Sequence, residues 1–298
     1  MTLPQHGRAA DAPVLGIDVG GTAIKVHLRH PTGVGEDLAG LLTPQGDPSG
    51  AAVADAVAAL VRLAGPVAAV GVAVPGVVDE VAGVCRSAVN LGWRDLAIRD
   101  LVADRVPVPV VLAQDVRAGA RGEKATGAGA GREGSLLFAP LGTGLGLAAL
   151  DPDGVPIGGP WAGEVGQLRF GPGPHAGLRI EQVVSAGGFA QRSGAPDGLT
   201  AIAAVRAGDP RALALWTETT DALAELLAWA VALLAPDTIV LGGGLARAGD
   251  LLLDPVRSAL AARLQGFPMP VVLPAVHGAG AAAVGAAELA ALRLRAPA

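Results

Sequence analysis

Apolar and polar positions along this chain mark out strands and helices in turn. Val14-Leu15-Gly16-Ile17-Asp18-Val19 is apolar but for one acid, and Ala23-Ile24-Lys25-Val26 leaves from Gly20-Gly21-Thr22. That pattern predicts strand, tight turn and strand. It recurs where Ser135 to Leu141 and Leu147 to Leu150 flank Gly142-Thr143-Gly144-Leu145-Gly146. Between the two copies, Val53, Val57, Leu60, Val61 and Ala64 share one face of a helix expected from Ser49 to Ala64, capped by Ser49 and stopped by Gly65-Pro66. Val67 to Val74 reads as a buried strand ending at Pro75-Gly76, and Val77 to Glu80 then turns through Gly83. Asn90-Leu91-Gly92-Trp93 reads as a polar loop in which Trp93 is a packing anchor. Val108 to Ala113 is a short strand, and a helix starts over Val116 to Lys124.

Thr126 to Gly134 is polar and glycine-rich and reads as a domain hinge. After the second hairpin, Gly158 to Gln167 is an irregular loop and Gly171-Pro172-Gly173-Pro174-His175 a stiff turn. A helix is expected from Arg179 to Gly187, carrying Glu181 and Ser185, and a long one from Arg211 to Ala235, ended by Pro236. Thr238 to Leu241 is a strand running into Gly242-Gly243-Gly244, and Gly278 to Arg295 is an alanine-rich final helix with glycines suited to close packing. Alternating strands and helices imply an α/β chain with mostly parallel sheets.

Composition narrows the partners. The 298 residues suit two domains or one large unit. Hydrophobic residues are 51%, so a sizeable core is available, whereas aromatics are 3% with no tyrosine, so stacking on bases or sugar rings is not expected to dominate binding. A net charge of −5 with no basic run argues against nucleic acid. The single cysteine, Cys85, excludes an internal disulfide framework and a cysteine-rich metal site. Met1 to Pro13 holds no apolar stretch of signal-peptide length, and the uncharged run Leu264 to Ala287 is broken by Pro268, Pro270 and Pro274. A cytoplasmic protein with no membrane partner is expected.

The two glycine–threonine hairpins carry the candidate chemistry. Gly20 and Gly21 free the backbone to turn its amides towards a phosphate, Thr22 adds a hydroxyl, and Asp18 stands where a divalent metal on that phosphate would need a carboxylate. Alone, this stretch serves equally well as an ordinary hairpin. The second copy, with Gly142, Thr143 and Gly144, favours a duplicated fold gripping a polyphosphate from both sides. Neither turn is a Walker loop, since Thr22 stands where Lys-Ser or Lys-Thr is required, and Leu147 stands where a dinucleotide fingerprint needs its third glycine. Asp115 lies at the carboxyl end of a strand and beside a helix N-terminus, which suits either a ligand group or a plain helix cap. Glu164, among small residues, is placed to accept a hydroxyl.

These pieces, in their order, resemble the ROK family (repressors, open reading frames, kinases), within the actin–hexokinase type of fold. The resemblance runs from Gly16-Ile17-Asp18-Val19-Gly20-Gly21-Thr22 through Pro75-Gly76-Val77-Val78-Asp79, Asn90-Leu91-Gly92-Trp93, Gln114-Asp115, Arg121-Gly122-Glu123, Leu141-Gly142-Thr143-Gly144, Ala162-Gly163-Glu164-Val165-Gly166 and Ile239-Val240-Leu241-Gly242-Gly243-Gly244 to Gly280–Leu289. Each motif is weak alone, and the ordered set is specific. The resemblance implies two ribonuclease H-like α/β domains with a cleft between them: an N-terminal sugar- and phosphate-binding domain over 1–126, a C-terminal nucleotide-binding and dimerisation domain over 127–281, and a final helix near 282–298 returning to the first. It implies an ATP- and Mg²⁺-dependent kinase acting on a hydroxyl of a glucose-like hexose or an N-acyl hexosamine. Asp115 would be the general base. Gly76, Asn90, Asp115, Glu164, Gln167 and Glu181 would hold the sugar. Asp18, Gly20, Gly21, Thr22, Lys25, Gly142, Thr143 and Gly144 would serve the phosphates, Asp18 with Mg²⁺, and Gly242, Gly243 and Gly244 would lie against the adenosine. The resemblance also implies a homodimer, and the hinge implies closure on the sugar. Polyphosphate remains a possible donor, because glycine turns bind phosphate without reading a base.

One departure is large. The family usually carries a structural zinc held by a histidine just after the Glu-x-Gly turn and by three cysteines ahead of the second sugar-binding glutamate. Here those positions are Gln167, Pro172, Pro174 and Arg179. No zinc is expected, nearby His175 included, and the prolines would stiffen the loop. This loss motivates an alternative, a sugar-binding or regulatory protein without catalysis, against which the retained Asp18 and Asp115 weigh. A DNA-binding regulator of the family is disfavoured, because only the residues before Val14 would be available for a helix-turn-helix.

Overall fold

The computed structural model describes residues 12–295, so the N-terminal leader reading and the end of the final helix lie largely or wholly outside the described residues. The chain forms two compact units: one runs to Ala125 and resumes at Ala279, and the other is Thr126–Gly278.

In the first unit, β1 (Val14–Val19) is buried throughout and β2 (Ala23–Arg29) alternates, as expected of a central strand and its hairpin partner. β3 (Gly35–Leu42) extends the hairpin, α1 (Ala51–Ala64) follows, and β4 (Val70–Val74) lies beside β1. β5 (Val77–Asp79), β6 (Val84–Ala88) and β7 (Trp93–Leu96) make a separate small antiparallel sheet. Then come α2 (Ile98–Ala103), β8 (Val110–Gln114) and α3 (Asp115–Ala125). The main sheet has the order β3-β2-β1-β4-β8. Its final cover is α10 (Ala281–Arg295), whose small residues let it approach closely. A Cβ on Gly16 would fall 1.9 Å from the Ala283 carbonyl, and one on Gly71 1.9 Å from that of Ala286.

The second unit is built on the same plan. β9 (Leu136–Pro140) and β10 (Ala148–Leu150) form the hairpin, and β11 (Thr238–Gly242) and β12 (Val271–Pro274) complete the order β10-β9-β11-β12. In both sheets the first hairpin strand pairs antiparallel with the second and parallel with the next strand in line. Between β10 and β11 lie α4 (Ile180–Val184), α5 (Ala186–Ser193), α6 (Gly198–Arg206) and α7 (Pro210–Leu234). α8 (Gly243–Ala246) and α9 (Asp250–Leu264) follow β11. Phe189 and Trp216 meet edge to face at 5.0 Å in this core.

Four expectations need correction. The sheets are mixed rather than mostly parallel, because each opens on a hairpin whose short turn forces antiparallel pairing. The buried strand starts at Val70, not Val67. α1 begins at Ala51, and Asp47 Oδ2 takes the Ala52 amide at 2.7 Å while Ser49 Oγ reaches the Ala51 amide at 3.3 Å; the charged acceptor outcompetes the hydroxyl. The single helix from Arg179 to Gly187 is two, since Ser185 is extended and its hydroxyl accepts the Gly188 amide, capping α5. Trp93 is a buried anchor, and its indole donates to the Asp47 carbonyl at 3.1 Å.

Candidate active site

In the first unit, strand register brings the candidate residues to one edge. Asp18 of β1 lies beside Ala73 of β4, which lies beside Ala113 of β8. The chain then leaves β1 at Gly20-Gly21-Thr22, β4 at Pro75-Gly76 and β8 at Asp115, so all three exits share the carboxyl edge. Two strand spacings, about 10 Å, separate Asp18 from Ala113 along that row, and Asp115 lies two residues beyond Ala113 at the start of α3. Gly76 has φ of +89°, and a Cβ there would sit 2.1 Å from the Ser87 carbonyl, so glycine is required.

The first glycine turn is held by its carbonyls. Gly20 O accepts from Thr43 Oγ1 at 2.6 Å, Gly21 O from Gln45 Nε2 at 2.8 Å, and Thr22 O from the Thr43 amide at 3.0 Å. The Gly20 amide is spent within the hairpin on the Ala23 carbonyl at 3.0 Å, so the turn would meet a phosphate through the amides of Gly21 and Thr22. Asn90 comes against this turn, 3.5 Å from a Cβ built on Gly21. Asp18 is buried, and Lys25, its neighbour across the hairpin, donates to Oδ2 at 3.0 Å. Burial pushes the Asp18 carboxyl up, and Lys25 partly offsets this. Only Oδ2 is engaged by Lys25, and one carboxylate together with substrate phosphates is how Mg²⁺ is commonly held, so Asp18 fits that ion.

Asp115 opens α3. Its Oδ1 accepts from Gln114 Nε2 at 2.7 Å and from the Val116 amide at 2.8 Å. A set of charges that the sequence reading passed over braces this junction. Glu80 Oε1 accepts the Gln114 amide at 3.0 Å and Arg117 Nε at 2.6 Å, and Arg117 Nη2 donates to the Val78 carbonyl at 2.8 Å. Arg121 Nη1 lies 3.6 Å from Glu80 Oε2, and burial lowers the Arg121 guanidinium. The available signal was two arginines one helical turn apart, following an acid at the end of an apolar run.

In the second unit, Gly242 pairs with Pro140 across β11 and β9, so the second glycine–threonine turn and the triple glycine leave from one edge. They touch directly: a Cβ on Gly243, whose φ is +75°, would lie 2.5 Å from the Leu141 carbonyl carbon. Thr143 O accepts from Ser185 Oγ at 3.1 Å, and Gly142 O from the Gly187 amide at 3.2 Å. Glu181 reaches the same turn, since a Cβ on Gly144 would sit 3.0 Å from its Oε2. Glu164 precedes the short helical turn Val165–Gln167, whose Gly166 packs against the Leu145 carbonyl and the Glu181 side chain. Gln167 Nε2 donates to Glu181 Oε2 at 3.1 Å. Gln167, Glu181 and the turn over Gly142, Thr143 and Gly144 are thus gathered, with Gly242, Gly243 and Gly244 behind them.

The four positions where the resemblance places zinc ligands offer an amide, two prolines and a guanidinium. None supplies a thiolate or imidazole, so these residues do not fit zinc. His175 instead packs its ring on Phe170, with centroids 5.3 Å apart. Among the described residues, no helix is long and apolar enough to cross a membrane.

A model described as "ROK family" matches residues 14–293. A glucokinase of Halalkalibacterium halodurans is 31% identical over 288 residues, covering 83% of this chain and 85% of that protein. A ROK family glucokinase from Streptomyces griseus, solved with glucose and AMPPNP, superposes with a TM-score of 0.79 at 30% identity, over 93% of this chain and 99% of that one. An inorganic polyphosphate/ATP-glucomannokinase from Arthrobacter sp. strain KM does so with a TM-score of 0.70 at 29% identity, over 95% and 99%. The two-domain α/β fold of the actin–hexokinase type expected from the motifs is the fold found.

Proposed function

The chain belongs to the ROK family and is a sugar phosphotransferase, and we propose that it moves the γ-phosphoryl group of ATP to a hydroxyl of a glucose-like hexose or N-acyl hexosamine, with Asp115 as general base. The observation that supports this most is the shared carboxyl edge of β1, β4 and β8. It sets an oriented carboxylate, Asp115, on the same sheet edge as a phosphate-type turn and its acid, Asp18. Phosphoryl transfer asks for little else than positioning and charge neutralisation.

In this reading the acceptor hydroxyl donates to Asp115, whose Oδ1 is already fixed by Gln114. The hydroxyl oxygen forms the new bond to the γ-phosphorus, the bond to the bridging oxygen breaks, and the proton passes to Asp115. ADP and the sugar phosphate leave. Gly76, Asn90, Glu164, Gln167 and Glu181 orient the sugar through its other hydroxyls. The turns at Gly20-Gly21-Thr22 and Gly142-Thr143-Gly144 donate to phosphate oxygens, Lys25 adds positive charge, and the Gly242–Gly244 turn receives the nucleoside. Bound Mg²⁺, held on the protein side by Asp18, would neutralise charge on the phosphates. The domains assigned from the motifs, 1–126 with the final helix and 127–281, each contribute sugar- and phosphate-binding residues, and the second adds the nucleoside site. A homodimer in the cytoplasm completes the reading.

The glucomannokinase neighbour supports a second donor, inorganic polyphosphate, which backbone turns would accept without a base. Coupled ADP release over a panel of hexoses and N-acyl hexosamines tests the reading, with sugar phosphate measured in parallel when polyphosphate replaces ATP. Turnover of one sugar class is expected. A protein that binds sugar but turns it over with neither donor would be the non-catalytic alternative.

A further inference from the structure

The loop that lacks zinc ligands is closed by side chains instead. Arg179 Nη2 lies 3.2 Å from Glu181 Oε1, Gln167 Nε2 donates to Glu181 Oε2 at 3.1 Å, and Arg179 Nη1 donates to Gln167 Oε1 at 3.3 Å. Each of the three side chains therefore meets the other two, and each carboxylate oxygen of Glu181 has its own donor. Two of the three, Gln167 and Arg179, stand at positions where the family pattern would place metal ligands. The intervening chain is laced as a hairpin. The Ile180 amide donates to Leu168 O at 2.8 Å, the Phe170 amide to Leu178 O at 2.9 Å, and the Gly177 amide to Phe170 O at 3.1 Å. Arg169 Nη1 adds a bond to the Gly177 carbonyl at 2.5 Å, and Phe170 packs on His175. Pro172 and Pro174 lie at the tip, where their fixed φ limits the unfolded alternatives.

We propose that this arginine–glutamine–glutamate triangle is a metal-free lock, and that Arg179 is a positioning residue that holds Glu181 for sugar recognition. The second half rests on the reading of Glu181 as a sugar ligand. Its physical basis is the burial difference: the Glu181 side chain is 16% exposed and that of Arg179 43%. A mostly buried carboxylate needs defined donors, and the planar guanidinium fork reaches Glu181 with one nitrogen while fixing Gln167, the second donor, with the other, which an ammonium cannot do in one plane. A half-exposed ion pair adds little to global stability. The lock should therefore be felt in how well the sugar is held rather than in the melting temperature.

The test compares the native protein with Arg179→Met, Arg179→Lys and Gln167→Ala. Arg179→Met should raise the acceptor KM about tenfold, the effect of one charge-assisted hydrogen bond, with the ATP KM and kcat little changed. Arg179→Lys should recover part of that loss. Trypsin cleavage after Arg169 should be slow in the native protein, unaffected by a chelator, and faster in Arg179→Met and Gln167→Ala. Purified protein should hold well under one zinc per chain. An acceptor KM unmoved by Arg179→Met would overturn the positioning role. Stoichiometric zinc, or trypsin sensitivity brought on by the chelator alone, would overturn the lock. Should no sugar be turned over by the native protein, the sugar role of Glu181 falls with the kinase reading, while the zinc and trypsin results still decide the lock.

Discussion

Cys85 shows how much a residue's surroundings decide its chemistry. Its side chain is fully buried on β6, and burial pushes the thiol up to about 11. Since the thiolate is the reactive form and a raised value keeps the proton on, the native thiol should resist a disulfide reagent at pH 8 and react at once in denaturant. Rapid native labelling would contradict this. Glu80 is the opposite case, a charge whose neighbours depend on it. Removing it in Glu80→Ala leaves Arg117 and Arg121 without their shared counter-charge, and unfolding should become easier by about 3 kcal/mol in a denaturant titration. The reading of individual residues from sequence did better with glycines, where one chemical property, a missing Cβ, translates into one geometry: Gly76 and Gly243 both need it, although Gly20 and Gly21 lie outside the left-handed region. It did worst with Glu80, Arg117 and Arg179, because the worth of a charge depends on partners distant in the chain, such as the Val78 carbonyl for Arg117.

At the scale of elements, α10 carries the most exacting fit. It meets α3 through glycine on both sides. A Cβ on Gly285 would fall 1.7 Å from the Ala118 carbonyl, and one on Gly122 2.7 Å from that of Ala281. Gly285→Val should therefore cost about 3 kcal/mol or more in stability, read by thermal unfolding, while Gly159→Ala, which meets nothing nearby and needs no left-handed backbone, should cost far less. Equal melting temperatures for the two would count against this packing. The strands β1, β2, β9 and β11 and the helices α1, α3, α7 and α10 were legible because their apolar positions repeat at the right period. α9 was not, with Pro255 inside it, nor was α6. The split of α4 from α5 turned on Ser185 preferring to cap, and on Gly187 lying so near Thr143 that a Cβ there would fall 2.5 Å from the Thr143 carbonyl. Neither contact is written in local periodicity.

For the whole molecule, the repeated plan of the two sheets is the main result of the sequence pattern. The hairpins around Gly20-Gly21-Thr22 and Gly142-Thr143-Gly144 were visible as two copies of one motif, and each heads four strands in the same order, β2-β1-β4-β8 and β10-β9-β11-β12, with β3 added to the first sheet. The parallel character was overestimated because strand–helix alternation outweighed the two hairpins and because the small antiparallel sheet β5-β6-β7 has no strong period in the sequence. Family membership accounts for the fold and the class of reaction. The assignment of Asp115 goes further, and it is the central claim. The most direct measurement is Asp115→Asn, with kcat followed by ADP release and sugar affinity followed by calorimetry. A general base contributes a factor of about 10² to 10⁴, so kcat should fall by that much while the sugar still binds within a few-fold. Turnover close to the native rate with affinity preserved would remove Asp115 from that role.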